Sequence, residues 1–151
     1  MEKTFEITSL DAMRKLATSI SEFLKPGTVI GLKGDLGAGK TTFTQFMGRA
    51  MGIDVPINSP TFTLMKVYEH TLPLYHIDAY RLEGLDTLDD EELIEYVDGE
   101  GVCVIEWYEN VLSIMPGDFL AIDIEYLSDS KRRITMKGTG PYESILHNIA
   151  Y

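Results

Sequence analysis

One cysteine, Cys103, stands in a chain of 151 residues, so no disulfide can form within it. That usage suits a reducing cytosol, and the cytoplasm is the expected compartment. Basic residues are also scarce: 13 Lys and Arg face 24 Asp and Glu, a formal charge of −11. Gripping nucleic acid through its phosphates takes clustered Lys and Arg, which this chain lacks. An acidic subunit working beside a nucleic-acid binder remains compatible with that balance. No run approaches the roughly 20 apolar residues of a membrane span, so no membrane role is expected. The opening residues Met1-Glu2-Lys3-Thr4-Phe5-Glu6 have neither a basic stretch nor a following apolar one. A signal peptide is therefore not expected. Internal repeats and low-complexity segments are missing as well.

What the chain does have is apolar content, 44% of its residues, enough for a sizeable core. Its length predicts a single domain over 1–151. Its most informative stretch is Gly34-Asp35-Leu36-Gly37-Ala38-Gly39-Lys40-Thr41, which fits the P-loop pattern G-x-x-x-x-G-K-[ST]. Glycines let successive backbone N–H groups turn inward toward phosphate oxygens. Lys40 brings a mobile positive charge to the β- and γ-phosphates, and the Thr41 hydroxyl can ligate Mg²⁺. The flanks agree. Thr28-Val29-Ile30-Gly31-Leu32-Lys33 reads as a short apolar strand. From Thr42 to Met51 the chain reads as a helix with Phe43, Phe46, Met47 and Ala50 on one face. Strand, loop and helix in that order are the context a phosphate loop needs, because the helix adds its positive dipole end to the anion site.

The rest of the chain alternates between the two periods. Thr4 to Thr8 predicts an edge strand. Leu10, Met13, Leu16, Ala17, Ile20, Phe23 and Leu24 recur at helical spacing after a capping hydroxyl three places before Asp11. Lys25-Pro26-Gly27 stops that helix. A proline-rich loop, Gly52 to Pro60, leads to a hairpin of Leu64–Glu69 and Leu74–Asp78. Thr87 to Ile94 predicts a short acidic helix. Val102 to Trp107 is a continuous apolar run holding Glu106, the pattern of a strand covered on both faces. Cys103 inside it reads as a core residue rather than a nucleophile. Phe119–Tyr126 and Arg132–Lys137 predict a second hairpin, and Tyr142 to Tyr151 a closing helix. The sum is a three-layer α/β, P-loop NTPase-type domain with a central mixed sheet.

Hydrolysis asks for more than a phosphate loop. It needs a carboxylate for the metal and a group that orients water. Asp78 and Glu106 each end an apolar strand, where ligands of open α/β sheets sit. Thr61 or Thr63 is a candidate sensor of the γ-phosphate. His76 is a proton handler or a hydrogen-bonded structural histidine. Arg81 is an arginine finger or a surface arginine. Trp107 packs on the nucleotide site or on a partner. The N-K-x-D stretch expected of a GTPase is missing, which favours ATP.

Four blocks then carry a resemblance: Gly34 to Phe43; Ser59-Pro60-Thr61-Phe62-Thr63-Leu64; His76-Ile77-Asp78-Ala79-Tyr80-Arg81-Leu82; and Ile105-Glu106-Trp107. In order and separation they resemble the TsaE family, small ATPases of bacterial tRNA threonylcarbamoyladenosine synthesis, over nearly the whole chain. Tyr108 departs from the proline common there and leaves the functional positions untouched. The resemblance implies a protein that binds ATP and Mg²⁺ and hydrolyses ATP slowly alone. It implies work beside TsaB and TsaD, which carry the transfer and hold the tRNA. By position, the phosphate loop is Gly34, Asp35, Leu36, Gly37, Ala38, Gly39, Lys40, Thr41 and Thr42. Thr41 and Glu106 become the Mg²⁺ ligands, Asp78 the carboxylate near the γ-phosphate and Thr61 the switch residue. Base contacts fall at Ser9, Leu10 and Arg132. The competing readings are a small-molecule kinase, for which no Arg-rich lid is visible, and a nucleotide-binding module that never hydrolyses.

Overall fold

A computed structural model of the chain describes residues 1–58, 65–80, 90–97 and 99–149. Seven strands form one mixed sheet: β1 (Glu2–Ile7), β2 (Val29–Lys33), β3 (Met65–Tyr68), β4 (Leu74–Asp78), β5 (Val102–Glu106), β6 (Leu120–Ser128) and β7 (Lys131–Gly138). Their spatial order is β1-β7-β6-β2-β5-β4-β3. The middle strand, β2, runs parallel to β5 and to β6, and β4 runs parallel to β5. The hairpins β3–β4 and β6–β7 and the outer pair β1–β7 are antiparallel. The glycine loop 34–39 thus leaves the central strand of a mixed α/β sheet, as its flanks predicted.

Strand alternation divides the core in two. Val102 and Val104 of β5 join a large cluster with Leu16 and Ile20 of α1 (Leu10–Ser21), Phe43 and Met47 of α2 (Lys40–Ala50) and Leu146 of α4 (Tyr142–Asn148). Cys103 and Ile105 face a smaller cluster with Val97 of α3 (Asp90–Val97) and Val111 and Ile114 of a 3₁₀ segment, Tyr108–Ile114. All five residues of β5 are therefore buried. Among the described residues, the second cover stops at the parallel half. On β1, β7 and β6 the register aligns Glu6 with Arg133 and Arg133 with Glu125. These side chains pair at the surface, at 3.1 Å and 3.4 Å. An antiparallel half with one face on the core and one in water accounts for the polar alternation there.

Several boundaries differ from the periodicity. The cap of α1 is Ser9, whose Oγ accepts the Ala12 N–H at 3.0 Å, rather than the residue before it. That helix ends at Ser21, short of Leu24, because Thr28 Oγ1 takes the Lys25 N–H at 3.1 Å and draws the chain into a turn before β2. Phe23 and Leu24 still pack on the core from that turn. Leu10 is 68% exposed, so the apolar face begins at Met13. On α2, Ala50 is exposed, while Thr44 and Gly48 are buried; Ile57 packs where a Gly48 side chain would stand. The 3₁₀ segment after Glu106 has no periodic signature. It starts at Trp107, which is left-handed (φ 61°). Thr87, the expected cap of the acidic helix, lies outside the described residues.

Cys103 is fully buried, and burial pushes its thiol up to about 12. The folded chain holds that proton where the unfolded chain has lost it, so Cys103 contributes a loss of stability as pH rises from its ordinary value toward about 12. At neutral pH the native thiol is expected to resist alkylation until the chain unfolds. Mass spectrometry after native and denaturing exposure to iodoacetamide checks this; rapid native labelling would contradict it.

Candidate functional site

The phosphate loop is built by exclusion. Gly34 lies against the Ile124 carbonyl, where a side chain would collide. Gly37 and Gly39 hold φ of 79° and 116°, the left-handed region that favours glycine. Gly39 caps α2 without a side-chain hydrogen bond. The first amides of that helix are consequently left to an anion, at the positive end of its dipole.

Lys40 is buried at the head of α2. Its Nζ donates to the Gly34 carbonyl and, at 3.0 Å, to the Asp35 carbonyl. It also lies 4.4 Å from the centre of the Trp107 ring. Burial holds the Lys40 ammonium below the ordinary lysine range, against the opposing pull of Glu106, Asp78, Glu109 and Asp35. The loop therefore keeps its one strong cation folded over its own carbonyls, within reach of where phosphates would enter. Leu36, on the loop's outer side, is 72% exposed.

Parallel register brings the two strand-end acids together. Asp78 and Glu106 are Cα partners across β4 and β5. The same alternation places His76, Asp78, Val104 and Glu106 on the sheet face that α2 covers. There Thr41 Oγ1 lies 3.3 Å from Glu106 Oε1 and 3.2 Å from Oε2. His76 Nε2 lies 2.5 Å from Oε2. Asp78 Oδ1 accepts the Tyr80 N–H at 3.0 Å, a turn that starts the chain's exit from β4. The Tyr80 and Trp107 rings meet at 4.9 Å, and Asn110 Nδ2 donates to the Ala79 carbonyl at 3.1 Å, tying the two strand exits together.

These oxygens suit a hard cation. Mg²⁺ is held by one or two protein oxygens plus substrate phosphates and water rather than by an all-protein cage. Thr41 and Glu106 offer such a pair, and among the described residues no cluster of three or more His, Cys, Asp or Glu is placed to hold a metal. The residues present fit Mg²⁺ carried in on phosphates.

Beside the loop lies a cavity of about 380 Å³, lined by Ser9, Leu10 and Arg132 together with Gly37, Gly39 and Thr42. The three residues expected at a base thus share one cavity with the phosphate loop. Arg132 is fixed there by Nε donating to the Ala38 carbonyl at 2.7 Å and Nη1 to the Ser128 carbonyl at 2.6 Å. Its guanidinium lies 4.6 Å from the Tyr126 ring. Thr61, Thr63 and Arg81 lie outside the described residues.

Sequence reasoning passed over Met13 and Asp129, which also line the cavity, and Glu109. Glu109 acts on Lys40 through its charge, and its Oε1 is buried with no hydrogen-bond partner among the described residues. The only signal for it was its place three residues after Glu106, one turn of a 3₁₀ helix.

The family model described as threonylcarbamoyl adenosine biosynthesis protein TsaE matches residues 7–134. A tRNA threonylcarbamoyladenosine biosynthesis protein TsaE of Bacillus subtilis is 42% identical over 139 residues, 91% of this chain and 87% of the relative. The protein of the same description from Treponema pallidum is 44% identical over 119 residues, 79% of this chain and 88% of the relative. The crystal structure of Bacillus subtilis YdiB superposes with a TM-score of 0.80 at 36% identity, covering 99% of this chain and 94% of that one. With a family model matching residues 7–134 and relatives alike over most of its length, the chain belongs to the TsaE family.

Proposed function

We propose that this chain binds Mg-ATP in its phosphate loop and hydrolyses it slowly. It does so in the cytoplasm, as an accessory subunit of the machinery that makes threonylcarbamoyladenosine on tRNA. TsaB and TsaD are its partners, and the tRNA is held through them. The observation that carries the reading is the convergence of three parts: a glycine loop at the head of α2, the Thr41–Glu106 oxygen pair, and a cavity of about 380 Å³ opening on the same loop.

The division of labour follows from position. The free amides at the start of α2 cradle the β-phosphate. Lys40 leaves the Gly34 and Asp35 carbonyls and neutralises the β- and γ-oxygens. Thr41 and Glu106 hold the cation, which when bound neutralises charge on the phosphates. Asp78, beside Glu106 at the strand ends, orients water near the γ-phosphate, and Thr61 reports that phosphate to its loop. Ser9, Leu10 and Arg132 receive the base. A surface this acidic leaves the tRNA phosphates to the partners.

The test is reconstitution of tRNA modification from TsaB, TsaD, tRNA, a preformed activated threonylcarbamoyl donor and ATP, with and without this chain. Modification over repeated turnovers is expected only with it, accompanied by phosphate release that rises when the pair is added. Equal modification without the chain would refute the reading. Phosphorylation of a metabolite without net hydrolysis would point to a kinase, and nucleotide binding with no phosphate release under any condition to a sensor.

A further inference from the structure

His76 is fully buried, and the site as described gives it no task. Its Nε2 reaches Glu106 Oε2 at 2.5 Å, while its Nδ1 is buried without a hydrogen-bond partner among the described residues. A residue kept only for packing would not bury an orphaned ring nitrogen, since leucine fills a similar volume with no polar atom. The other donor to Glu106 cannot set the carboxylate's orientation. Thr41 Oγ1 stands nearly equidistant from the two oxygens, at 3.3 Å and 3.2 Å. The terminal torsion of a glutamate is broad and nearly two-fold, so on its own the carboxylate has no fixed rotation. Among the described residues, only His76 distinguishes one oxygen from the other.

We infer that His76 is a positioning residue: by holding Glu106 Oε2 from β4, it fixes the rotation of the carboxylate and leaves Oε1 turned to the cation that arrives with the nucleotide. This rests on the Mg-ATP reading above. Groups of this kind, one bond behind a ligand, set metal affinity without touching the metal. The strand register makes the arrangement rigid: Asp78, two residues on, is the Cα partner of Glu106, so His76 acts from the same strand end.

The experiment measures Mn²⁺ affinity of the complex with a non-hydrolysable ATP analogue, by electron paramagnetic resonance. Analogue affinity in EDTA is measured in parallel. Wild type is compared with His76→Leu, which removes the donor, and with His76→Gln, whose amide reaches the Nε2 position. His76→Asn is too short to reach and serves if the leucine variant does not fold. The leucine or asparagine variant is expected to bind Mn²⁺ roughly 10- to 100-fold more weakly, with metal-free analogue affinity unchanged. His76→Gln should recover most of that loss. In a Glu106→Ala background, His76→Leu should add no further loss, because the effect runs through Glu106. Unchanged Mn²⁺ affinity in a folded donor-less variant would overturn the inference while leaving the Mg-ATP reading intact. So would an equal loss in the Glu106→Ala background. A wild-type chain that binds the analogue with no metal dependence would overturn both.

Discussion

Replacing Lys40 by alanine is expected to weaken Mg-ATP binding about 10- to 150-fold, the worth of a charge-assisted hydrogen bond of roughly 1.5–3 kcal/mol. The size of the loss depends on what else can supply positive charge at the phosphates. The loop's amides provide dipoles; Arg132 donates to the Ala38 carbonyl from β7, while Lys40 is the loop's own cation, bonded to the Gly34 and Asp35 carbonyls. Burial already disfavours its charged form, so a triphosphate that restores charge pairing gains more there than at an exposed lysine. Lys40→Met keeps the aliphatic stem against Trp107 and removes only the ammonium. Both variants should lose affinity alike in calorimetric titrations. Retained affinity in the methionine variant would assign Lys40 a packing role and remove it from the phosphate site.

Glu106→Ala is expected to lower single-turnover ATP hydrolysis by about three orders of magnitude, as several kcal/mol of metal-borne charge stabilisation are lost. The same change strips His76 of its one bonded partner among the described residues and leaves a fully buried ring with neither nitrogen paired to any of them. That costs about 1–3 kcal/mol and lowers Tm by several degrees. Glu106→Gln separates the two effects. Its amide keeps the shape and one acceptor oxygen, so Tm should stay closer to wild type while hydrolysis remains low. Hydrolysis at the wild-type rate in either variant would take Glu106 out of the site.

How far the sequence alone reached depends on the range of the interaction. Local chemistry was legible. The Gly34-to-Thr41 spacing placed a glycine loop between strand and helix, and the unbroken apolar run from Val102 marked a strand covered on both faces. The strand-end positions of Asp78 and Glu106 were visible too, since each follows a run of apolar residues. Their direct pairing was not, because the β4–β5 register joins residues far apart in the chain, and the side-chain bond from His76 to Glu106 spans 30 residues. Arg132 is similar: its bond to the Ala38 carbonyl spans 94 residues, and no local pattern encodes it. Helical periodicity also misjudged Leu10 and Ala50. A period marks a stripe, but whether its ends reach the core depends on where neighbouring elements stop. The 3₁₀ segment after Glu106 escaped notice because it has no amphipathic period and its start relies on a left-handed tryptophan. It matters to the site, since it carries Glu109 toward Lys40 and Asn110 back to β4.

The central claim is a triphosphate held at the head of α2 with its magnesium between Thr41 and Glu106. Calorimetric titration of the wild-type chain with non-hydrolysable analogues of ATP and of GTP, with Mg²⁺ and then in EDTA, tests that most directly. Saturable binding of one nucleotide per chain, tighter with Mg²⁺ and tighter than for the GTP analogue, is the predicted result. No saturable heat with either nucleotide, or binding indifferent to Mg²⁺, would contradict it.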